Sequence, residues 1–555
     1  MRRPFPRSLL WFVVTGAVML LQMFPVTGIV LMFALAMLWS IAFINLGMIG
    51  TAWEALTGRV SRLWLILPLA FYGGYYAFAV SDHLMLARLQ AQIDAANARV
   101  HIPFDPAKQV LGVESRSGGG FGGPALLQDY GLPVFYQASA DRPETYSATR
   151  IVDAAICARV RNTPSFSGAG IWSFGVIDRN GGKPGGLDKR FCQLTQPERP
   201  SLPLVAVALE GERTHAATLP VRAVTTRVTM PDGATYQVRG GTASPLRWLP
   251  MPVMGCGLNS GAPSWDCDAG FLRANFTRLV SGPDVAALAA ALGLKRVAPE
   301  NRRAADPATV NDLIARAEAD ALARDIAAFD RVAVDPTAKV DSIPFRVLAA
   351  RPDALDPRAD AIMAALERAA AVENRYAARE NGRNLARLLT RLPPDRFRAF
   401  GPRIIALYAH ADPGEKPHWL WESDDLVNRL GDLGPAALPL LTRPAFDRNP
   451  PRLWSIEAAC RLGPAAQPLA TLLYKQWAKT RDFDRDERAR LYVTMRRIGL
   501  AVPPLAQDKR GQFDKLRENW ADITPRSPPR VCAVRAEEQA RREEKYSGKR
   551  KTNLD

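Results

Sequence analysis

Five histidines could serve acid–base or metal chemistry: His83, His101, His215, His410 and His418. No two of them have the spacing that lets one helix face hold a metal ion, and no His-Glu-x-x-His run supplies a metal with a general base. His410 and His418 flank Asp412, Glu415, Trp419 and Trp421, the nearest approach to a polar cluster. That composition reads as an inter-helix loop whose tryptophans pack inward. Ser173 lies in Gly170-Ile171-Trp172-Ser173-Phe174-Gly175, where Ile171 occupies the position at which a nucleophile elbow needs Gly. The run Ser117-Gly118-Gly119-Gly120-Phe121-Gly122-Gly123-Pro124 lacks the Lys-Ser or Lys-Thr of a phosphate-binding loop and reads as surface. Asp178-Arg179-Asn180-Gly181-Gly182 begins like a calcium loop, but the twelfth position of that frame is Lys189, where a bidentate Glu is required. Asp482, Asp484 and Asp486 read as a charged turn. Acid–base carboxylate pairs cannot be picked from 55 acidic residues without a fold. No catalytic, cofactor-binding or metal-ligating residue is nominated.

The six cysteines carry a different message, because disulfides persist in oxidising compartments. Cys256 and Cys267 bracket a Gly-, Pro- and Ser-rich loop with too little apolar surface to hold itself, and are the first candidates for a bridge. Cys157 and Cys192 share a β-like region and are the second, while Cys460 and Cys532 lie far apart near the end. Ten residues separate Cys256 from Cys267, against the two to four usual between paired zinc ligands. Six cysteines allow fifteen connectivities, and six unpaired buried thiols are the alternative.

The elements that hold these residues begin in a membrane. From Ser8 to Trp53 there is no charged side chain for 46 residues, and a second uncharged stretch runs from Leu63 to Ser81. At about 1.5 Å per helical residue and about 30 Å of hydrocarbon, the first stretch is long enough for two crossings. Phe24-Pro25-Val26-Thr27-Gly28 provides the turn between them. Three spans are expected: Ser8 to Phe24, Ile29 to Ile49 and Leu63 to Val80. Arg2, Arg3, Arg7, Arg59 and Arg62 mark the cytoplasmic side, with Arg88 and Arg99 opposite, so the soluble part is expected outside the cytoplasm. A cleaved signal is the competing reading, but the apolar run is longer than a signal core and its first Ala-Leu-Ala, at Ala34-Leu35-Ala36, falls within the second span.

A net charge of +17 and a pI near 9.8 would ordinarily suggest nucleic acid. The 72 basic side chains, 59 of them Arg, are scattered, and an anchored extracytoplasmic domain meets anionic headgroups and acidic polymers instead. Nucleic acid is therefore not an expected partner.

Beyond the spans, residues 82–100 continue as an amphipathic connecting helix, with Leu86, Leu89, Ile93, Ala96 and Val100 spaced to dock on the protein's own domain. Residues 101–282 read as a β-rich domain of α+β type. Val205 to Leu209, Arg222 to Met230 and Thr235 to Arg239 are its clearest strands, the last two joined by a Pro231-Asp232-Gly233 turn. Residues 283–394 read as helical, and 511–555 as a basic, partly disordered tail, disordered above all from Glu537 to Asp555.

Between them, in residues 395–510, one pattern recurs. Gly434-Pro435-Ala436-Ala437-Leu438-Pro439-Leu440, Gly463-Pro464-Ala465-Ala466-Gln467-Pro468-Leu469 and Gly499-Leu500-Ala501-Val502-Pro503-Pro504-Leu505 share Gly, Ala at plus two, Pro at plus five and Leu at plus six. Each follows a large apolar residue, Leu433, Leu462 or Ile498, and a degenerate copy begins at Phe400-Gly401-Pro402. Gly can cap one helix in the left-handed region, and Pro fits the first turn of the next. These residues resemble HEAT-like repeats, in particular the phycobilisome-lyase-type subclass with its Gly-x-x-Ala-x-Pro-like turns. That resemblance covers less than a quarter of the chain and implies an α-solenoid used to bind protein.

The expected protein is thus a membrane-anchored scaffold or accessory factor of a bacterial-type envelope. Its soluble parts would contact the lipid bilayer, its anionic headgroups or polymers, and another envelope protein. The alternative is an envelope-polymer hydrolase, or another enzyme, with its site in the β-rich domain.

Overall fold

The structure is a computed structural model that describes residues 4–24, 27, 38–113, 123–138, 146–180, 183–256, 267–280, 284–340, 345–372, 376–411, 419–442, 453–480, 485–504, 511–534 and 537. The chain divides into two compact units, residues 1–157 with 173–310, and residues 158–172 with 311–555. The division departs from the one read along the sequence. Residues 283–310 join the β-rich unit, and 158–172 belong to the helical one.

Among the described residues one helix is long and apolar enough to cross a membrane, Arg62–Asn97. The first expected span corresponds to the shorter apolar helix Leu10–Gln22. Most of the first half of the second span lies outside the described residues, and the remainder belongs to Leu38–Leu56. These two helices run side by side in opposite directions. Ser8 Oγ meets Thr51 Oγ1 at 2.9 Å, and the Phe12 ring fills the place where a Cβ on Gly47 would stand. Their outward faces are apolar, with Leu10, Val13, Leu20 and Ile49 exposed, as are Leu63, Ile66 and Leu69 at the start of Arg62–Asn97.

The β-rich unit is a mixed nine-stranded sheet. Its strands are β1 Val110–Val113, β2 Phe135–Ala138, β3 Tyr146–Asp153, β4 Trp172–Asn180, β5 Lys183–Glu198, β6 Leu204–Ala216, β7 Leu219–Thr229, β8 Thr235–Ala243 and β11 Thr277–Arg278. They lie in the order β11-β8-β7-β6-β1-β2-β3-β5-β4. β1 is parallel to both β2 and β6, so the two neighbours of the central strand are reached through crossovers. One face buries Leu111, Phe135, Ile151, Val205 and Val207 beneath helices Gly123–Tyr130 and Asp284–Ala291. The turn at Pro231-Asp232-Gly233 joins β7 and β8 as expected, with Gly233 at φ +89°. A separate hairpin pairs β9 Pro252–Cys256 with β10 Cys267–Phe271.

The helix Arg62–Asn97 continues unbroken from its apolar half into the amphipathic half. Leu86, with Met85, Leu89 and Ile93, packs on Leu219, Val221, Ala243 and Leu279 of the sheet. At the junction stands Asp82, fully buried. It accepts hydrogen bonds from Thr218 Oγ1 at 2.6 Å, Leu246 N at 3.1 Å and Arg273 Nη1 at 2.7 Å. Arg273 also donates to the Ser244 and Thr218 carbonyls. One carboxylate therefore ties the helix Arg62–Asn97 to three separate strand ends.

A second buried acid, Asp188, sits between Arg190 and Arg302. The side-chain bond from Arg190 holds its carboxyl below the usual range, although burial opposes this. Because the folded pKa is depressed, its stabilisation is present above an unfolded value of about 3.9 and is lost as pH falls through the folded value. Thermal unfolding of the full chain in detergent should show Asp188→Asn losing less stability than the native chain as pH drops below about 4. Equal slopes would remove Asp188 from the acid response.

Candidate interaction site on the helical repeats

The helical unit shares one core from Phe329 to Val534. All three repeat glycines adopt positive φ, Gly434 at +75°, Gly463 at +65° and Gly499 at +91°. Gly463 directly follows helix Leu453–Leu462 and Gly499 directly follows Arg485–Ile498. Pro439 lies in the first turn of Leu438–Leu441, and Pro468 in the turn that leads into Ala470–Lys479. The third copy departs from the pattern, because residues 505–510 beyond Pro504 lie outside the described residues and no described helix starts at Pro504. Gly401 in the degenerate copy opens helix Gly401–His410 without a positive φ.

A further position of the repeat holds successive copies together. Two residues before each glycine stand Asp432, Arg461 and Arg497. Arg461 Nη1 reaches back to Asp432 Oδ1 at 3.3 Å, and Arg497 Nη1 reaches back to the Cys460 carbonyl. Asp432 also receives Arg429 Nε at 2.8 Å, while Arg429 Nη1 donates to the Thr390 and Leu392 carbonyls and its guanidinium lies 3.9 Å from the centre of the Phe397 ring. Burial pulls the Arg429 and Arg497 pKa values down, yet guanidinium remains charged at any ordinary pH. The signal was present in the sequence as Arg two places before Gly463 and Gly499, and was masked by Asp in the first copy.

Gly463→Val should cost more than about 1 kcal/mol, because a β-branched residue is strained at positive φ. The added Cβ would also stand 3.2 Å from Arg497 Nη1. At Gly434 no atom lies within 4 Å of an added Cβ, so Gly434→Val isolates the backbone term. Denaturant unfolding with hydrogen exchange checks both, and unchanged protection around either glycine would count against the cap.

In the same unit lies a cleft of about 240 Å³, lined by Arg383, Ala386, Arg387, Glu422, Ser423, Asp424 and Asp425. Trp419 and Trp421, just before Glu422 in the chain, pack inward as their loop position suggested. The Trp419 ring stands 2.3 Å from where a Cβ on Gly382 would be, so only Gly allows this approach. Arg379, Arg383 and Arg387 recur every four residues on helix Tyr376–Thr390 and present one basic face. Glu422 pairs with Arg379 and Arg383, and Asp425 with Arg387 Nε at 3.3 Å. These side chains are roughly a quarter to a half exposed, and exposed pairs are worth only about 0–1 kcal/mol. Incoming charges can therefore replace them at little cost. His410 ends helix Gly401–His410 on the surface, and Asp412, Glu415 and His418 lie outside the described residues. Among the described residues no group of His, Cys, Asp and Glu could hold a metal ion.

Cys157 is bonded to Cys192, and Cys460 to Cys532. The second bridge fastens residues 511–534, read in the sequence as the start of a tail, into the helical core together with Trp520, Ile523 and Val531. β9 and β10 set Cys256 directly opposite Cys267 in backbone register, but the Cys256 side chain lies outside the described residues. So do most of the Gly-rich run, Asp482, Asp484 and the end of the tail. Ser173 lies within β4, away from any described histidine partner.

Comparison with known proteins adds no name to this arrangement: no family model matches the chain, and no curated protein or solved structure is significantly similar to it.

Proposed function

We propose that the chain is a membrane-anchored scaffold or accessory protein of a bacterial-type envelope, with three spans and everything from Val100 onward outside the cytoplasm. The exposed apolar faces of the N-terminal helices support the anchor, since soluble surfaces rarely gather such residues together. Two buried disulfides support an oxidising compartment. The Cys256 to Cys267 pairing belongs to the same reading, as do HEAT-like repeats. The interaction role rests on one observation above the others: the helical unit presents a cleft of exchangeable ion pairs rather than a nucleophile with a base. Another envelope protein, with charges complementary to Arg387 and Asp425, is the partner this cleft fits.

Alkaline phosphatase joined after residue 100 should be active in a bacterial host, because the basic residues hold the N-terminus inside. Strong activity of a cytoplasmic reporter at that junction would refute the topology.

A hydrolase reading keeps one supporting observation. On the sheet, Glu198 is almost wholly buried between Tyr136 Oη at 2.7 Å and Arg150 Nη2 at 2.6 Å. Burial, and then the bond to Glu198, pushes the Tyr136 phenol above its usual range. These bonds occupy the carboxylate, which favours a structural role. Release of soluble fragments from envelope polymer, abolished by Glu198→Gln, would reverse that preference.

A further inference from the structure

Residues 245–254, which link β8 to β9 and open β9, run against the apolar helices, and the way their backbone is satisfied says what surrounds them. His83 Nε2 is 3.0 Å from the Leu246 carbonyl, and Tyr75 Oη donates to the carbonyls of Arg247 at 2.6 Å and Leu249 at 3.3 Å. Asn45 Nδ2 donates to the Pro250 carbonyl at 3.1 Å. Ser40 Oγ donates to the Pro252 carbonyl at 3.1 Å and accepts from Met254 N at 3.3 Å. Leu272 N caps the Met251 carbonyl, and Asp82 takes Leu246 N. Pro250 and Pro252 have no N–H to satisfy.

Irregular backbone survives at membrane depth only where protein supplies its hydrogen bonds. Here Ser40, Asn45 and Tyr75, from the apolar stretches of two helices, are spent on one loop. Ser40, Asn45 and Tyr75 lie inside the uncharged stretches, where polar groups without a partner would be costly. What the loop leaves outward is apolar: Trp248 is 58% exposed, Leu249 60%, and Phe276 on the adjoining return 70%. Trp248 stacks on His83 with ring centres 4.4 Å apart, close to the end of the uncharged stretch, and Phe271 contacts Tyr75 at 4.8 Å. Phe78, Val80 and Leu84 of the anchor helix are exposed as well.

We propose that residues 245–254 and Phe276 lie in the membrane interface, with Trp248, Leu249 and Phe276 reaching the acyl-chain boundary of the leaflet on the sheet's side. The inference rests on the anchor reading proposed above. Lipid fits better than protein, because the carbonyls of Leu246, Arg247, Leu249, Pro250, Met251 and Pro252 are already capped and the remaining surface offers apolar and aromatic groups of the kind enriched at membrane boundaries.

The test uses the full chain in lipid nanodiscs of phosphatidylethanolamine and phosphatidylglycerol, with benzoylphenylalanine placed singly at position 69, 202, 248 or 276. Leu69 is on the anchor helix, and Leu202 precedes β6 at the end of that strand farthest from the helix. After irradiation, mass spectrometry should find lipid adducts at 248 and 276 at a yield like that at 69, and about tenfold or more above 202. Adducts at 69 but only background at 248 and 276 would overturn the interfacial loop and leave the anchor standing. Protein–protein crosslinks at 248 and 276 in place of lipid would overturn it in favour of a second copy. No lipid adduct even at 69 would remove the anchor reading itself.

Discussion

Asp82→Ala is expected to destabilise the β-rich unit by about 3–5 kcal/mol, the usual cost of removing one partner of a buried ion pair. The carboxylate is fully buried and its partner Arg273 is largely so. Its removal strands three donors together, Thr218 Oγ1, Leu246 N and the Arg273 guanidinium. Arg273 retains the Ser244 and Thr218 carbonyls, but these cannot neutralise it. Asp82→Asn should do less harm, because the amide oxygen can still accept from one donor while the charge stays unbalanced. The variants should melt earlier in detergent and become cleavable by trypsin near Arg273 and Arg278. A melting temperature for Asp82→Ala within a degree of the native chain would mean that Leu86, Leu89 and Ile93 hold the helix on the sheet without help.

The second large effect belongs to Cys460 and Cys532. Their bridge closes a loop with a sequence separation of 72, and loop-closure entropy alone assigns such a bridge roughly 4 kcal/mol. Both sulfurs are buried in the repeat core. Cys532→Ser should therefore lower the melting temperature of the helical unit and release residues 511–534 first. Hydrogen exchange would show lost protection at Trp520 and Ile523, followed by the helix Arg485–Ile498, whose Arg497 donates to the Ser527 carbonyl. The β-rich unit should keep its protection, since it is a separate compact unit. Uniform loss across both units, or none in either, would contradict a local clamp.

Much of the architecture was legible in the chain because its periodicities are local. The absence of charge marked the helix Arg62–Asn97, and the Pro-Asp-Gly turn marked the hairpin of β7 and β8. The strand β6 was legible only from Val205 to Leu209. It extends to Ala216, and its later half is exposed, so no buried face imposes alternation there. The parallel pairs around β1 carry no local signature, since crossovers separate the partners. Asp82 was visible as the first charge after the second uncharged stretch, but its partners lie 136 to 191 positions away. The repeat glycines were legible as caps because positive φ restricts residue type, and the cleft between Arg387 and Glu422 was not, because its charges come from separate helices. Cys460 and Cys532 were obvious as thiols and silent as a pair.

The interaction role is tested most directly by purifying the tagged full chain from solubilised membranes beside a variant carrying Arg387→Glu and Glu422→Lys. These changes reverse two cleft charges that are at least partly exposed, so folding should survive, as circular dichroism would verify. Quantitative mass spectrometry should find one envelope protein in near-stoichiometric amount with the native chain and a loss of about tenfold or more with the variant, as expected when complementary charges are made to clash. A partner retained equally by both chains, or no stoichiometric partner with the native one, would contradict a scaffold that works through this cleft.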